Sequence, residues 1–437
     1  MTRNRTPRVA VVGAGIAGLA AAAFAARAGT RVTLLERVSE PGGRARTRAS
    51  GRFRFNMGPH ALYRGGPAEA VLTELGISPQ GAPPDISRGL GFADGRLHVL
   101  PGGPLSLMTT TLLGAREKAE LGAVLARFPR LDPAPYLNTT LDAFLRETFR
   151  TERLRSIFAA LVRLSTYTHA PGAISAGTAI AQVQSGLGSG VRYLDRGWQP
   201  MVDAMAEVAE KAGVEIRAGA RVRSIERGGV LEVVLREGER IPVDAVVLAM
   251  GPAEASALVA GGSDPVLAEQ VDRALPVRAA CLEVGLSKLP DPRRPFALGI
   301  DVPTYVSLHS AAARGLAPEG GALFHAARYL APDEKPDRDD VQAQLEGQLD
   351  ALQPGWRDHV EEQTLLLDVP VAHAVPTAAM GGLAGRPRVD ALAERHPGVL
   401  LAGDWIGPQG WLADASFASG RDAGRAAAAM ARSGSHG

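Results

Sequence analysis

The chain has 437 residues, more than one hydrophobic core normally serves, so two domains are expected. Its 46% hydrophobic and 22% charged residues are ordinary for a soluble globular protein, and a net charge of +2 without a dense basic run argues against a nucleic-acid partner. Cys281 is the only cysteine, which excludes an intrachain disulfide, a CxxC redox pair and a cysteine zinc site, and no metal site is predicted. No apolar run reaches about 18 residues without a charge, so we expect no transmembrane segment and a cytoplasmic location.

A glycine-rich turn follows the first predicted strand. The apolar run at 9–12 is typical of a buried parallel strand, and a helix to about residue 28 follows the turn. The three glycines form G-x-G-x-x-G: the first permits the tight turn, the second admits a pyrophosphate, and the third lets the helix pack closely on the strand. Free N–H groups at the helix N-terminus favour the phosphate. The cofactor-binding residues predicted here are Gly13, Gly15, Ile16, Ala17 and Gly18.

A second predicted strand, 31–35, ends at an acidic residue. Glu36 stands where a carboxylate accepts hydrogen bonds from the ribose hydroxyls of a dinucleotide, and Arg37 is a further candidate beside it. An acid at this position disfavours the 2′-phosphate of NADP. Strand, helix, second strand and terminal acid together predict a dinucleotide-binding domain.

The next segment, SEPGGRARTR at 39–48, contains a glycine pair followed by an arginine. It resembles the second cofactor motif of the flavin amine oxidase/phytoene desaturase superfamily. The resemblance implies that Gly42, Gly43 and Arg44 lie against the pyrophosphate of FAD, where an arginine neutralises a diphosphate through a two-pronged contact.

The segment FNMGPHALY at 55–63 resembles the loop of that family which passes near the flavin ring. The resemblance implies that Gly58, Pro59 and His60 bind the cofactor. His60 is also a candidate catalytic residue. It is either an acid–base group or a packed loop histidine without a catalytic role.

Later segments match the same family in order. Residues 193–226 predict a turn, a helix over 199–212 and strands, and the resemblance places the backbone of Val222 beside the adenine. DAVVLAMGP at 244–252 resembles a third cofactor-side strand with its small-residue end. A glycine-rich turn is predicted at 227–229 between two strands.

The stretch GDWIGPQGWLADASFASG at 403–420 follows a predicted strand at 399–402. Its first two residues resemble the last flavin motif, in which an aspartate binds the pyrophosphate–ribityl part of FAD. The helix that begins near residue 414 then directs its N-terminus at the flavin N1–C2=O edge, although the usual Glu-Gly-Ala of the family reads Asp-Ala-Ser here. The cofactor-binding residues implied are Gly403, Asp404, Trp411, Leu412 and Asp414, and Trp405 and Trp411 are candidate flavin-adjacent catalytic residues.

These motifs predict an α/β fold with a Rossmann-type FAD-binding domain and a discontinuous mixed-sheet plus helical substrate domain. The FAD-binding domain is assigned to 1–69, 193–252 and 393–437, and the substrate domain with its helical lobe to 70–192 and 253–392. The family's cysteine tether has no counterpart near the C-terminus, so FAD is expected to be noncovalent. Residues 331–340 are predicted as a charged surface loop or cap that leads into a helix near 341–352.

The sequence leaves two enzymatic branches of the family open as interpretations. Amine oxidases commonly carry a lysine near flavin N5, but the corresponding strand start reads Ala279-Ala280, and Lys288 lies at its far end. The desaturase branch needs a long apolar pocket, so dehydrogenation of a hydrophobic, isoprenoid-like or polycyclic substrate by hydride transfer to flavin N5 is favoured. An amine or protoporphyrinogen-type oxidase stays open as the alternative. The non-enzymatic relatives that bind prenylated partners, the Rab escort and GDP-dissociation-inhibitor proteins, do not need the flavin motifs that are intact here.

The partners follow from that interpretation. No second G-x-G-x-x-G is present, so electrons are expected to enter from a hydrophobic small-molecule substrate and to leave to dioxygen or a quinone. Peripheral membrane contact and a homodimer stay open from the sequence.

Overall fold

The computed structural model describes residues 5–58 and 60–434. Within these ranges the chain forms twelve α-helices and twenty β-strands. The helices are α1 Ile16–Arg27, α2 Pro67–Leu75, α3 Pro104–Thr109, α4 Ala115–Arg127, α5 Leu141–Thr148, α6 Glu152–Thr166, α7 Ala176–Gly188, α8 Gln199–Lys211, α9 Pro252–Leu258, α10 Pro265–Arg273, α11 Arg338–Leu352 and α12 Ala413–Gly434. The strands are β1 Arg8–Val12, β2 Arg31–Leu35, β3 Arg48–Ser50, β4 Phe53–Phe55, β5 Leu62–Tyr63, β6 Gly81–Ala82, β7 Leu90–Ala93, β8 Arg96–Val99, β9 Val191–Leu194, β10 Glu215–Arg217, β11 Val222–Arg227, β12 Leu231–Leu235, β13 Arg240–Val243, β14 Ala245–Ala249, β15 Val277–Leu286, β16 Phe296–Gly299, β17 Thr304–Leu308, β18 Ala322–Leu330, β19 Val360–Ala372 and β20 Val399–Ala402.

Five parallel strands form the first sheet, in the order β10-β2-β1-β14-β20. The predicted strands at 9–12, 31–35 and 399–402 are confirmed to within one residue. Helices α1, α8 and α12 contribute to the core on one face, and the three-stranded sheet β11-β12-β13 contributes to the core on the other. The carboxyl ends of β1, β2, β14 and β20 meet at one edge, the place where open parallel sheets bind ligands.

Two helices pack backbone to backbone on this sheet. A β-carbon added to Gly420 or Gly424 of α12 would overlap the carbonyl oxygens of Ala17 and Ala21 in α1. The alanines of α1 are buried as well, so small residues on both helices let their axes approach closely. This contact fixes the N-terminal end of α12 relative to the β1–α1 turn.

A second sheet has seven strands in the order β19-β15-β18-β17-β16-β7-β8. It is mixed because β16 and β7 are parallel while the other neighbours are antiparallel. Helices α4 to α7 pack over one face, and α11 packs over the other. The face toward α4–α7 is called the interior face below.

The charged segment at 331–340 leads into a helix and caps it, as predicted. Helix α11 begins at Arg338 rather than at residue 341, so the last part of the predicted loop is helical. Asp337 sets that start, because its carboxylate accepts the backbone N–H groups of Asp339 and Asp340 and so caps the helix. The division of the chain into FAD and substrate domains stays a prediction.

Among the helices of residues 5–58 and 60–434, none combines the length and the apolar character that crossing a bilayer requires.

Candidate active site

The β1–α1 turn leaves open space at the ligand edge of the first sheet. Gly13 has φ +100°, and a β-carbon there would lie 2.5 Å from the carbonyl oxygen of Ala249; a β-carbon on Gly18 would overlap the carbonyl of Gly13 itself. Gly15 differs, because a β-carbon there would meet nothing within 4 Å. No side chain caps α1 at Gly15, so its first N–H groups face this open space. An anionic diphosphate fits such a position.

Glu36 holds the end of β2 against the same turn. Its buried carboxylate accepts the Ala14 amide at 2.7 Å through Oε2 and the Val38 amide at 3.1 Å through Oε1. Arg37 beside it is exposed. The Gly219 amide donates to Val38, which brings the start of β11, where Val222 lies, close to this end of β2. The adenine-side assignment of Val222 and Glu36 stays a prediction.

The glycine pair of the second motif lies beside the first motif. The Gly42 amide donates to the Ala14 carbonyl at 2.7 Å, and a β-carbon on Gly43 would lie 3.4 Å from the α-carbon of Gly15. Arg44 follows, and its Nη1 lies 2.7 Å from Oδ2 of Asp404. The second and last flavin motifs, about 360 residues apart in the chain, thus meet at one point of the edge.

Asp404 is a buried carboxylate held by Arg44 and His373. Its Oδ1 lies 2.8 Å from Nδ1 of His373, in addition to the Arg44 contact. Burial opposes the ionisation of Asp404, but Arg44 and His373 outweigh burial and hold the pKa of the carboxyl below its usual range. His373 is a site neighbour that the sequence did not indicate, since no motif includes it.

The loop over 56–60 is fixed from two directions. The Gly58 amide donates to Oε1 of Glu283 at 2.9 Å, and the ring of His60 lies between the carbonyls of Gly58, at 2.8 Å, and Arg44, at 3.0 Å. Burial lowers the pKa of His60. Because both ring nitrogens face backbone carbonyls, the arrangement favours the packed-histidine interpretation of His60. Pro59 lies outside the described residues.

A buried polar cluster supports that loop from the interior face. Glu283 in β15 and His325 in β18 are paired residues, both fully buried, with Oε1 of Glu283 2.9 Å from Nδ1 of His325. The ring centroid of His309 lies 4.2 Å from that of His325 and 3.9 Å from that of Tyr193, on which it stacks. Within the described residues, Oε2 of Glu283 and both ring nitrogens of His309 have no hydrogen-bond partner.

The C-terminal loop sends its two tryptophans into different cores. The buried Trp405 donates from Nε1 to the Met250 carbonyl at 2.8 Å and packs behind the first sheet. Trp411 is fully buried in the core of the interior face, and its Nε1 has no partner in the described part of the chain. Leu412 follows with φ +56°, a left-handed conformation that is uncommon for leucine. Trp405 therefore has a packing contact, and the flavin-adjacent place of Trp411 stays a prediction.

Asp414 and Arg386 shape the same loop. Asp414 accepts the Ala68 amide at 2.8 Å, so its side chain caps α2, and burial raises its pKa to about 6. Arg386, which no motif indicated, is buried and donates to the Gly410 carbonyl at 3.0 Å. Its Nε and Nη2 have no partner within the described ranges. These unpaired donors and the open turn at Gly15 fit a bound anionic cofactor such as FAD.

The comparisons with known proteins agree with this geometry. The chain matches the family of flavin containing amine oxidoreductases over residues 16–429. Hydroxyneurosporene desaturase of Cereibacter sphaeroides is 31% identical over 319 residues, 63% of this chain and 62% of that protein. Phytoene dehydrogenase of Streptomyces griseus is 32% identical over 278 residues, 55% of this chain and 53% of that protein. The matched part therefore spans less than two thirds of these curated relatives.

The fold is shared with a solved amine oxidase. Cyclohexylamine oxidase from Brevibacterium oxydans IH-35A superposes with a TM-score of 0.72 at 18% identity, covering 97% of this chain and 99% of that chain. The predicted fold class, the flavin cofactor and the enzymatic nature of the protein are confirmed. The chain is a member of the flavin-containing amine oxidoreductase family and an FAD-dependent oxidoreductase.

Proposed function

We propose that this oxidoreductase dehydrogenates a hydrophobic substrate of isoprenoid or polycyclic type. The observation that carries the proposal is the aromatic and apolar interior face beside the loop over 56–60. A β-carbon on Gly58 would lie 3.6 Å from Sγ of Cys281, which is fully buried on that face. Five of the six tyrosines of the chain are buried: Tyr63, Tyr167, Tyr193, Tyr305 and Tyr329.

Such a face suits the binding of a lipophilic substrate by a dehydrogenase. When bound, FAD supplies the hydride acceptor at N5. The side chains around Cys281 exclude water and position an apolar carbon chain by van der Waals contact. The buried thiol itself is not a nucleophile here, because burial raises its pKa above the usual range.

The positions of the lysines favour the desaturase branch over the amine-oxidase branch. Ala279 and Ala280 are fully buried in β15, and Lys288 beyond its end is exposed. Lys211 and Lys335 are also exposed. Lys118, the fourth lysine of the chain, donates to the Met108 carbonyl at the surface of the helical lobe. No lysine of the chain is therefore available to act beside the loop over 56–60.

The relatives support the same branch, since two of them are named as a hydroxyneurosporene desaturase and a phytoene dehydrogenase. Dioxygen or a quinone is proposed as the electron acceptor. Peripheral membrane contact is supported by α3, on which Leu105 and Met108 are each 75% exposed and lie one helical turn apart. A cytoplasmic location and a homodimer remain part of the proposal.

The test is anaerobic reduction of the bound flavin, followed through its visible absorbance. Detergent-dispersed phytoene and other polyenes are expected to bleach the oxidised spectrum, whereas cyclohexylamine and related amines are not. Bleaching by amines together with hydrogen peroxide release in air would establish the oxidase alternative. Reduction by dithionite serves as the control that the flavin is intact and accessible.

A further inference from the structure

A buried arginine lies at the interior face without an acidic partner. Arg163 in α6 is 8% exposed, and its Nη2 donates to the Gly299 carbonyl at 3.1 Å. Within residues 5–58 and 60–434 its Nε has no hydrogen-bond partner, and no aspartate or glutamate oxygen comes within 4 Å of its guanidinium. Burial lowers its pKa to about 10, so the group is still a cation at neutral pH. A buried cation without a counter-charge is costly, which makes the position unusual.

A second unpaired donor belongs to the same region. Tyr329 in β18 is fully buried, and its hydroxyl has no hydrogen-bond partner in the described part of the chain. Burial raises the pKa of Tyr329 far above the usual range against the opposing effect of the Arg163 charge, so the hydroxyl keeps its proton. The Arg163 Nε–H and the Tyr329 hydroxyl thus lie in one region of the core, and neither has a hydrogen-bond acceptor among the described residues.

The surroundings of these donors are aromatic. The Tyr329 ring stacks at 5.9 Å on the ring of Tyr305 and lies 6.1 Å from that of Tyr167. Tyr167 adopts φ +57° at the end of α6, a strained conformation for a bulky residue. Strain of this kind persists where surrounding structure holds it and is concentrated at ligand sites.

The register of the second sheet links this group to the loop over 56–60. Ala279 pairs with Tyr329, and Cys281, two residues further along β15, pairs with Ala327. Alternate residues of a strand share a face and are about 7 Å apart. Tyr329 is therefore on the same face as Cys281, which faces Gly58, at a distance that suits the far part of a substrate.

We infer that Arg163 and Tyr329 bind the polar end of the substrate and that this end is a carboxylate. The inference rests on the proposed function for the location of the substrate site. A carboxylate supplies the missing negative charge and one oxygen for each donor. A pure hydrocarbon leaves both donors unpaired, and an ammonium group is repelled by Arg163. The substrate class is thus a lipophilic acid with an apolar carbon skeleton.

The test compares two probes of one skeleton, all-trans-retinoic acid and all-trans-retinol, titrated into the oxidised holoenzyme. Binding is followed by quenching of protein fluorescence. We expect the acid to bind about tenfold more tightly than the alcohol, the ratio that a charge-assisted contact provides. Arg163→Met is expected to abolish this preference while leaving the retinol affinity unchanged.

Two further variants keep the result interpretable. Tyr329→Phe removes only the unpaired hydroxyl and is expected to reduce the preference to about threefold. Arg116→Met, at an exposed position on α4, is the matched control and should retain the full preference. FAD content and thermal midpoint are measured for each variant, and if Arg163→Met does not fold, the Tyr329→Phe result decides.

The outcomes separate this inference from the proposed function. Lack of preference for the acid in the wild type, whether both probes bind equally or neither binds, overturns the inference, as does a preference that survives Arg163→Met. The titration involves no turnover. A holoenzyme that prefers the acid but is not reduced by any polyene would contradict the dehydrogenase proposal and leave the carboxylate site standing.

Discussion

Backbone groups form the ligand edge of the first sheet, whereas side chains form the interior face of the second. At the edge, backbone groups define the site: Gly15 leaves open space, and Gly18 and Gly43 let chain segments approach. At the interior face, side chains define it, and Arg163 and Glu283 place ionisable groups in the core. An edge made of amides suits a cofactor common to a family, whereas a face made of side chains allows each member its own substrate.

The two buried arginines illustrate the same difference. Arg386 lies at the edge, and its burial is partly offset by the negative charge of Asp404. Arg163 lies at the interior face, where no aspartate or glutamate among the described residues offsets its burial. The first therefore has an anion of the protein itself nearby, whereas the second has none, and we infer that a ligand supplies it. Substitutions at the ligand edge and at the interior face test this difference.

The largest effect is expected at the edge, from alanine at Gly18. Its new β-carbon would overlap the Gly13 carbonyl, which cannot move without opening the β1–α1 turn, so the unfolding free energy should fall by on the order of 3 kcal/mol. Gly15→Ala is the matched variant, because Gly15 has φ −71° and open space around it. It should keep the stability of the apoprotein but weaken FAD binding at least about tenfold. Urea unfolding and fluorimetric FAD titration measure the two quantities; unchanged FAD affinity in Gly15→Ala would contradict a backbone-built site.

The edge was predictable from sequence because its residues lie in short segments with fixed spacing, such as 13–18 and 42–44. The interior face was not, since its polar groups come from strands far apart in the chain. Glu283 within the apolar run of β15 gives no local sign that it faces His325, and only the strand register brings the two together. The tyrosines are likewise spread over five elements or loops, and no spacing unites them.

The next largest expected effect is a pH dependence of stability that comes from Asp414, at the N-terminal end of α12. Burial raises its pKa to about 6, against the Ala68 hydrogen bond and with an added contribution from Glu69. The folded state therefore binds a proton more tightly than the unfolded state does. Stability is highest below about pH 4 and falls as pH rises to about 6, by on the order of 3 kcal/mol.

Asp414→Asn removes this titration while keeping an oxygen that accepts the Ala68 amide. The variant should be more stable than the wild type at pH 7.5, and the difference should shrink toward pH 4.5 in urea unfolding of the holoenzyme. Asp422→Asn, at a partly exposed position of the same helix, is the control and should follow the wild type. A pH-independent difference for Asp414→Asn would contradict the raised pKa.

A smaller effect on stability is expected where the interior face supports the loop over 56–60. Glu283→Leu leaves the buried Gly58 amide without its acceptor, which should cost about 1–3 kcal/mol of stability. Glu283→Gln keeps an acceptor and should cost less than half as much. If the loop lies against the flavin, Glu283→Leu should also shift the visible spectrum of the bound cofactor. Equal losses in both variants would contradict the hydrogen bond to Glu283 as the contact that holds the loop.

The smallest expected effect is a difference in stability between variants of the two tryptophans. Trp405 packs behind the first sheet, and Trp411 lies in the core of the interior face. Trp405→Phe breaks the hydrogen bond to the Met250 carbonyl and should lower stability by about 1 kcal/mol. Trp411→Phe removes a donor that has no partner in the described residues, so its cost should be smaller although the ring is equally buried. The predicted place of Trp411 beside the flavin implies that Trp411→Phe should instead perturb the flavin spectrum. A larger loss of stability for Trp411→Phe than for Trp405→Phe would mean that the Trp411 indole is a packing residue, and the substrate side of the site would then rest on the tyrosines and Arg163 alone.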